Sequence, residues 1–345
     1  MSFFGSILVT GGAGFIGSNF VRRIMARHPD CQVTVLDALT YAGNMDNLAA
    51  VAEEDRFTFV KATISDAEAV RQAMDGCEAV FNFAAETHVD RSIKEAGTFI
   101  DTDVIGTYTL LRVATDIGVK RFIQISTDEV YGSSHGEDFT EDSPLLPGNP
   151  YSASKCGGDL MCHAFFNTFE LPVVVTRSSN NFGPNQHVEK FIPLFITNTM
   201  EGKELPLYGD GLHRRDWLYV EDNCDALETV ATHGALGEVY NICAGETRTN
   251  LEVAERILEL LDAPKSRIVF INDRKGHDRA YEMDGAKLAA IGWKPARSFE
   301  DAIKKTVTWY QENRQWWERV KSGAFREYYD NNYGDRLKRG KQHGV

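Results

Sequence analysis

The chain has no run of about 18 consecutive apolar residues, the length a membrane-spanning helix needs. Its first residues, MSFFGSILVTGG, place no basic segment ahead of a long apolar core, so no secretory leader is expected. Cysteine is sparse and scattered: Cys31, Cys77, Cys156, Cys162, Cys224 and Cys243 form no Cys-x-x-Cys pair. That argues against a disulfide framework or a thiolate zinc site, and predicts reduced thiols in a cytoplasmic protein with no metal. Positive charge is in deficit, with 37 Lys and Arg against 50 Asp and Glu and a net charge of -13. Such a chain is a poor partner for nucleic acid, although a few local cations or a helix N-terminus can still hold a small anion. No internal repeat and no low-complexity block is present, which excludes solenoids and propellers. With 43% hydrophobic and 25% charged residues, the composition also excludes a largely disordered chain.

What the sequence does contain is alternation. Short β-branched or aromatic runs at 7–10, 32–37, 57–60, 79–84, 121–126 and 173–177 are apolar on both faces, as buried parallel strands are. Helical patterns at 14–27, 66–74, 98–117 and 151–169 lie between them. The alternation predicts an α/β fold of the Rossmann type, a doubly wound parallel sheet with right-handed crossovers. The 345 residues suggest about two units at roughly 150 residues per domain. Residues 1–180 read as the dinucleotide-binding half, with a later segment of about 206–240 returning to its sheet. After residue 180, Pro, Gly and Asn cluster and loops lengthen, so 181–330 reads mainly as a smaller lobe. There a strand is expected at 238–242 and a helix from Leu251 capped by Asn250. Residues 331–345 read as a tail, basic and polar at its end.

The first strand runs straight into Gly11-Gly12-Ala13-Gly14-Phe15-Ile16-Gly17, and a helix follows. Gly12, Gly14 and Gly17 fit the G-x-G-x-x-G spacing. Glycine is needed there for a tight turn and for close approach of backbone N–H groups to a pyrophosphate at the helix N-terminus. Asp37 ends the next strand, 20 residues after Gly17. A carboxylate there suits two ribose hydroxyls and repels a 2′-phosphate, so NAD is favoured over NADP.

Tyr151 and Lys155 stand four apart at the start of a helix and share a face. An ammonium beside a phenol favours the phenolate, a base able to take a hydroxyl proton. Upstream, the buried strand at 121–126 ends in Thr127-Asp128-Glu129-Val130-Tyr131-Gly132. Ligands in doubly wound sheets sit beyond the carboxyl ends of strands, so Asp128 and Glu129 are expected near the reacting carbon as an acid and a base with separated pKa values.

These residues resemble the extended short-chain dehydrogenase/reductases that act on nucleotide sugars. The segments Ala84-Ala85-Glu86-Thr87-His88-Val89-Asp90-Arg91-Ser92 and Arg215-Asp216-Trp217-Leu218-Tyr219-Val220-Glu221-Asp222, with the Thr127-Asp128-Glu129 triplet, narrow the likeness to dTDP-glucose 4,6-dehydratases over about residues 5–320. The resemblance implies NAD, tightly bound and regenerated each cycle, held by Gly11, Gly14, Phe15, Ile16, Gly17, Asp37, Thr63, Ile64, Ala84, Ala85, Thr102, Tyr151 and Lys155. Thr63 stands where the family commonly has an Asp at the adenine edge, and Asn223 where a His is common. The resemblance further implies a nucleoside-diphosphate glucose as substrate, met by Thr87, Thr127, Asn180, Glu189, Lys190, Arg215, Asn250 and His277. Arg215 offers a planar fork to paired phosphate oxygens, with a salt bridge to Asp216 or Glu221 as its alternative; His277 could equally be structural.

The implied cycle has three steps. Tyr151, with Lys155 and Thr127, takes the C4 hydroxyl proton as the sugar is oxidised. Glu129 then removes the acidified C5 proton while Asp128 protonates the leaving C6 hydroxyl. Hydride finally returns to C6, giving the 4-keto-6-deoxy sugar. A 4-epimerase or decarboxylase on the same scaffold is the alternative, but neither needs an elimination acid. The family also implies a homodimer through the 98–117 and 151–169 helices, with Leu110, Leu111, Val113, Leu160, Phe165 and Phe166 either at that interface or in the core.

Overall fold

The computed structural model describes residues 3–134, 136–273 and 278–322, together with Phe325, Tyr329, Tyr333, Gly334, Arg336 and Leu337. Its first half alternates strand and helix: β1 (Ser6–Thr10), α1 (Phe15–Arg27), β2 (Gln32–Asp37), β3 (Phe57–Lys61), α2 (Ala67–Met74), β4 (Ala79–Asn82), α3 (Val89–Lys94), α4 (Gly97–Phe99), α5 (Thr107–Ile117), β5 (Arg121–Thr127), α6 (Pro150–Phe169) and β6 (Val173–Ser178). The second half holds β7 (Asn180–Phe182), α7 (Phe191–Met200), β8 (Leu205–Tyr208), β9 (Arg214–Tyr219), α8 (Val220–His233), β10 (Val239–Ile242), β11 (Thr247–Thr249), α9 (Asn250–Leu260), β12 (Ile268–Ile271), β13 (Ala280–Tyr281), α10 (Ala286–Ala290), α11 (Phe299–Glu312) and α12 (Arg314–Val320).

Seven strands form one parallel sheet in the order β10-β6-β5-β4-β1-β2-β3. The chain winds outward from β1 in both directions, so the strand order reverses between β1 and β4, where doubly wound folds bind ligands. The sheet strands are apolar because helices cover both faces: Ile7, Val9, Val35, Phe81 and Ile123 pack toward α1 and α8, while Leu8, Leu36, Val80 and Phe122 pack toward α2, α5 and α6. A polar seam interrupts this core at the carboxyl ends. Thr10 donates to Asn82 Oδ1 at 2.6 Å, and Asn82 Nδ2 donates to Gln124 Oε1 at 2.8 Å, all three fully or almost fully buried.

Three sequence expectations need correction. The segment 206–240 returns to the main sheet only through its last part: α8 packs on the α1 face and β10 pairs with β6, whereas β8 pairs with β12 and β9 with β7, β11 and β13. The helix expected over 98–117 is broken by a wide π turn, Ile100–Gly106. The cap of α9 is Thr249, whose side chain accepts from the Glu252 N–H while Glu252 accepts from the Thr249 N–H; Asn250 is the first helical residue.

The glycine loop is steric in origin. A Cβ on Gly17 would lie 2.4 Å from the Gly11 carbonyl oxygen and 2.9 Å from Gly12 Cα, both rigid backbone atoms. Gly17→Ala is therefore expected to lower the thermal midpoint, followed by circular dichroism, by the equivalent of ~2 kcal/mol or more. An unchanged midpoint contradicts this account of the loop.

Candidate active site

A cleft of about 330 Å³ opens over the carboxyl ends of β1, β2, β4, β5 and β6. At one end lies the glycine loop. Gly11 has φ +65°, and a Cβ there would meet the Ala84 nitrogen at 2.6 Å, so the loop lies directly on the chain leaving β4. Gly14 caps α1 without a side chain, leaving the N–H groups of the first turn pointing at the cleft. Asp37 is buried and accepts from Ala13 N–H at 2.9 Å and Leu39 N–H at 2.8 Å, which aims its carboxylate across the loop. Burial raises its pKa against these two donors. Gly43 turns so close to Asp37 that a Cβ would sit 2.8 Å from Oδ1. This is a cradle with free backbone donors beside an acceptor pair, the donor set that a pyrophosphate and an adjoining ribose diol require. Thr63, Ile64, Ala84, Ala85 and Thr102 line the same end.

At the other end, β5 runs directly into a 3-10 turn, Asp128–Tyr131. The Thr127 side chain caps that turn by accepting from Glu129 N–H at 3.3 Å, and its hydroxyl donates to Asp128 Oδ1 at 3.0 Å. The turn is pinned from below: Arg177 donates to the Tyr131 hydroxyl at 2.9 Å, Tyr131 donates to Asn241 Oδ1 at 2.8 Å, and Arg177 is paired with buried Asp159 at 3.0 Å. Asp128 is 2% exposed, and its Oδ2 has no hydrogen-bond partner among the described residues. Burial, reinforced by the neighbouring Glu129, pushes its carboxyl up to about 8. A carboxyl in that state carries its proton at neutral pH and can give it away. Glu129 is half-buried and accepts from Asn149 Nδ2 at 3.4 Å.

Asn149 also caps α6, sharing a capping box with Ser152, with Pro150 at the first helical position. That start places Tyr151 and Lys155 in the cleft, 9% and 4% exposed. Lys155 Nζ donates to the Ile125 carbonyl at 2.7 Å. The expected lowering of the phenol by Lys155 is not what this arrangement produces. Burial pushes Tyr151 well above the ordinary phenol value, Glu129 and Asp103 add to the effect, and Thr127 opposes it. The physical reason is that two carboxylates and a dry wall act on the phenol together; the sequence pointed to Glu129 but not to Asp103 or to the burial.

Thr87, Asn180, Glu189 and Lys190 line the cleft from the second lobe's side. Lys190 donates to the Thr87 carbonyl, and Arg91 is paired with fully buried Glu189 at 3.2 Å. Burial acts to raise the Glu189 carboxyl, but His88, His187, Lys190 and Arg91 hold it below the usual range. Arg215 and Asn250 are not among the residues that line the cleft, although the Arg215 charge acts on Asp128. Arg215 is buried, donates to the carbonyls of Arg214 at 2.7 Å and Asp278 at 2.9 Å, and stacks over Tyr281. Neither expected salt bridge of Arg215 forms: Asp216 accepts backbone N–H groups of Ala244, Gly245 and Glu246, and Glu221 pairs with Arg297. Asn250 donates its N–H to the His213 carbonyl. His277 lies outside the described residues. Asn223 accepts from Ser178, a cleft residue, at 3.1 Å, so it acts under the dinucleotide half rather than in the second lobe.

Sequence reasoning missed Asp103 and Glu86. Asp103 is carried inward by the π turn and accepts from Ser154 at 2.6 Å; burial raises it to about 6 against the pull of Lys155. Glu86 lines the cleft, and burial raises its pKa too. The quoted Ala84–Ser92 motif contained Glu86, whereas a wide turn in an otherwise regular helical pattern left no signal for Asp103.

Comparison with known proteins gives a consistent result. The model of the GDP-mannose 4,6-dehydratase family matches residues 8–306. The chain is 52% identical over 304 residues to the low-salt glycan biosynthesis protein Agl12 of Haloferax volcanii, covering 88% of this chain and 98% of that one. It is 50% identical to a dTDP-glucose 4,6-dehydratase of Streptomyces griseus, covering 90% and 96%. The crystal structure of DesIV, a dTDP-glucose 4,6-dehydratase from Streptomyces venezuelae solved with NAD bound, superposes with a TM-score of 0.90 at 49% identity, covering 92% of this chain and all of that one. With the glycine cradle at one end of the cleft and the Thr-Asp-Glu turn at the other, the chain belongs to the GDP-mannose 4,6-dehydratase family.

Proposed function

We propose that the protein dehydrates a nucleoside-diphosphate glucose, dTDP-glucose in the first instance, to the 4-keto-6-deoxy sugar. The observation that carries this reading is the pair at the end of β5: a buried carboxyl that keeps its proton beside a second carboxylate, both facing the phenol of Tyr151. Oxidation alone needs only a phenol and an ammonium; removal of water also needs an acid and a base. Names of relatives at about half identity support the same reaction.

NAD, when bound, accepts hydride from C4 and returns it to C6. The glycine loop, Phe15, Ile16 and Asp37 would hold its diphosphate and ribose, with Thr63, Ile64, Ala84, Ala85 and Thr102 along the rest. Tyr151 would take the C4 hydroxyl proton as its phenolate, which burial disfavours and which the positive charges of Lys155 and of a bound nicotinamide would favour; Thr127 orients both the phenol and Asp128. Glu129 takes the C5 proton. Asp128 gives its proton to the departing C6 hydroxyl, which the water-free wall around it favours. Glu189, Lys190, Thr87 and Asn180 position the sugar nucleotide, with residues 181–330 as its main lobe. The setting is the cytoplasm; among the described residues no helix is long and apolar enough to cross a membrane.

We also propose a homodimer. Leu110, Leu111, Val113 and Phe165 are internal, whereas Leu160 and Phe169 on α6 stand exposed with Ile100, Ile105 and Tyr108. An apolar row on two adjoining helical segments suits a second copy of the same face.

Incubation with dTDP-glucose and UDP-glucose side by side should give a product lighter by one water; an unchanged mass indicates epimerisation instead. Glu129→Gln should sharply reduce solvent deuterium at C5, and normal incorporation removes Glu129 as the base. Asp128→Asn should still permit C4 oxidation but block water loss, and wild-type turnover should fall as pH rises through about 8, where Asp128 gives up its proton. The folded carboxyl binds its proton more tightly than the unfolded one, so Asp128 costs stability increasingly from about pH 4 to 8. Asp128→Asn removes that cost and should raise the thermal midpoint at alkaline pH by ~1 kcal/mol or more. Leu160→Glu should convert the dimer to monomer in sedimentation, and an unshifted dimer rejects this interface.

A further inference from the structure

Asn47 sits outside the cleft, 3% exposed, in a single 3-10 turn, Met45–Leu48. Its carboxamide is used at both ends. Nδ2 donates to the carbonyl of Ala13 in the glycine loop at 2.9 Å. Oδ1 accepts from Asn185 Nδ2 at 3.1 Å and from the Trp316 indole N–H at 3.0 Å. Trp316 is on α12, far along the chain. Asn185 opens the segment that brings Gln186, Glu189 and Lys190 to the cleft.

The same junction is tied from α1. Arg22 donates to Asn185 Oδ1 at 3.0 Å and to Asn19 Oδ1 at 2.9 Å, and Asn19 Nδ2 donates to the Pro184 carbonyl at 3.0 Å. Tyr310 on α11 donates to the Gln186 carbonyl. Asn185 has φ +65°, a conformation that Gly adopts without strain and Asn tolerates. Backbone geometry alone would be satisfied by Gly, whereas both ends of this amide are bonded. Asn47 and the Asn44 N–H both grip the carbonyl of Ala13, the residue whose own N–H donates to Asp37 at 2.9 Å. One carboxamide thus spans the loop read as holding the cofactor and the lobe read as holding the sugar nucleotide.

We propose that Asn47 is a positioning residue that couples these two parts, so that a nucleoside diphosphate in the lobe and NAD in the loop each slow the other's release. The inference rests on the reading of the cleft given under Proposed function. Such coupling is reciprocal in the two binding affinities, because each ligand favours the same joined arrangement, and it is read from one side, as NAD release. It acts without touching either ligand, through three neutral hydrogen bonds, two of them fully buried, where an unpaired amide is costly.

The test measures NAD release from the full chain with and without dTDP. In the wild type, dTDP slows release. Asn185→Gly keeps the left-handed backbone and removes the amide; Trp316→Phe keeps an aromatic ring and removes the N–H. Each is expected to shrink the effect of dTDP on NAD release by about fivefold, the factor that one net hydrogen bond of about 1 kcal/mol supplies. The ligand-free thermal midpoint of Asn185→Gly is expected to fall only slightly, because glycine suits φ +65° while two side-chain hydrogen bonds are lost, so this variant carries the test if Trp316→Phe destabilises the core. Full retention of the dTDP effect in the folded Asn185→Gly chain overturns the proposal. NAD release accelerated equally with and without dTDP marks a merely structural role and overturns it as well. A wild-type chain that binds neither NAD nor dTDP overturns the reading of the cleft, and the coupling falls with it.

Discussion

Asp128 keeps its proton at neutral pH because water is kept from it. The end of β5 buries this side chain almost completely and leaves one of its oxygens without a partner among the described residues. A lone buried carboxylate is too costly to keep ionised, so the proton stays. Everything nearby is arranged around that condition. Thr127 binds the carboxyl and caps the turn that carries it, and the Tyr131–Arg177–Asp159 chain holds the turn against the sheet. A buried ion pair such as Arg177 with Asp159 contributes little net stability, but it restricts where the backbone of the turn can lie. The same dryness raises the Tyr151 phenol and so holds its proton in place as well.

The scaffold makes this possible by ending its strands in one plane. Parallel strands bring Thr10, Asn82, Gln124, Thr127 and Ser178 to neighbouring positions, and the polar seam across β1, β4 and β5 satisfies groups that would otherwise be unpaired in the core. The glycine loop lies on one side of the seam and the Thr-Asp-Glu turn on the other, so the cleft runs from backbone donors to a pair of carboxyls. The second lobe closes the cleft with a segment whose charged residues, Glu189 and Lys190, are themselves braced by Arg91 and the Thr87 carbonyl.

Adjacent residues with strong local requirements were legible in the sequence. Seven expected strands form one sheet because each carried its own apolar, β-branched pattern. The glycine loop, Asp37, the Thr127–Glu129 triplet and the Tyr151–Lys155 spacing were readable because their chemistry is local: a turn that tolerates only glycine, a strand-end carboxylate, a helix face. The family likeness carried the cleft residues that have no pattern of their own, such as Thr102 and Asn180. It placed Arg215 and Asn250 at the nucleotide, where the structure gives them backbone partners outside the cleft.

What the sequence by itself determined was the order of elements and the identity of the groups able to do chemistry. What only the tertiary structure decided was their ionisation and their alliances: Asp128 neutral, the Tyr151 phenol raised, Asp103 turned inward beside Lys155, Asn47 joined to Trp316. These depend on which distant segments exclude water from a group or hydrogen-bond to it. Burial and partnership across 269 positions of chain are properties of packing, and no local pattern encodes them.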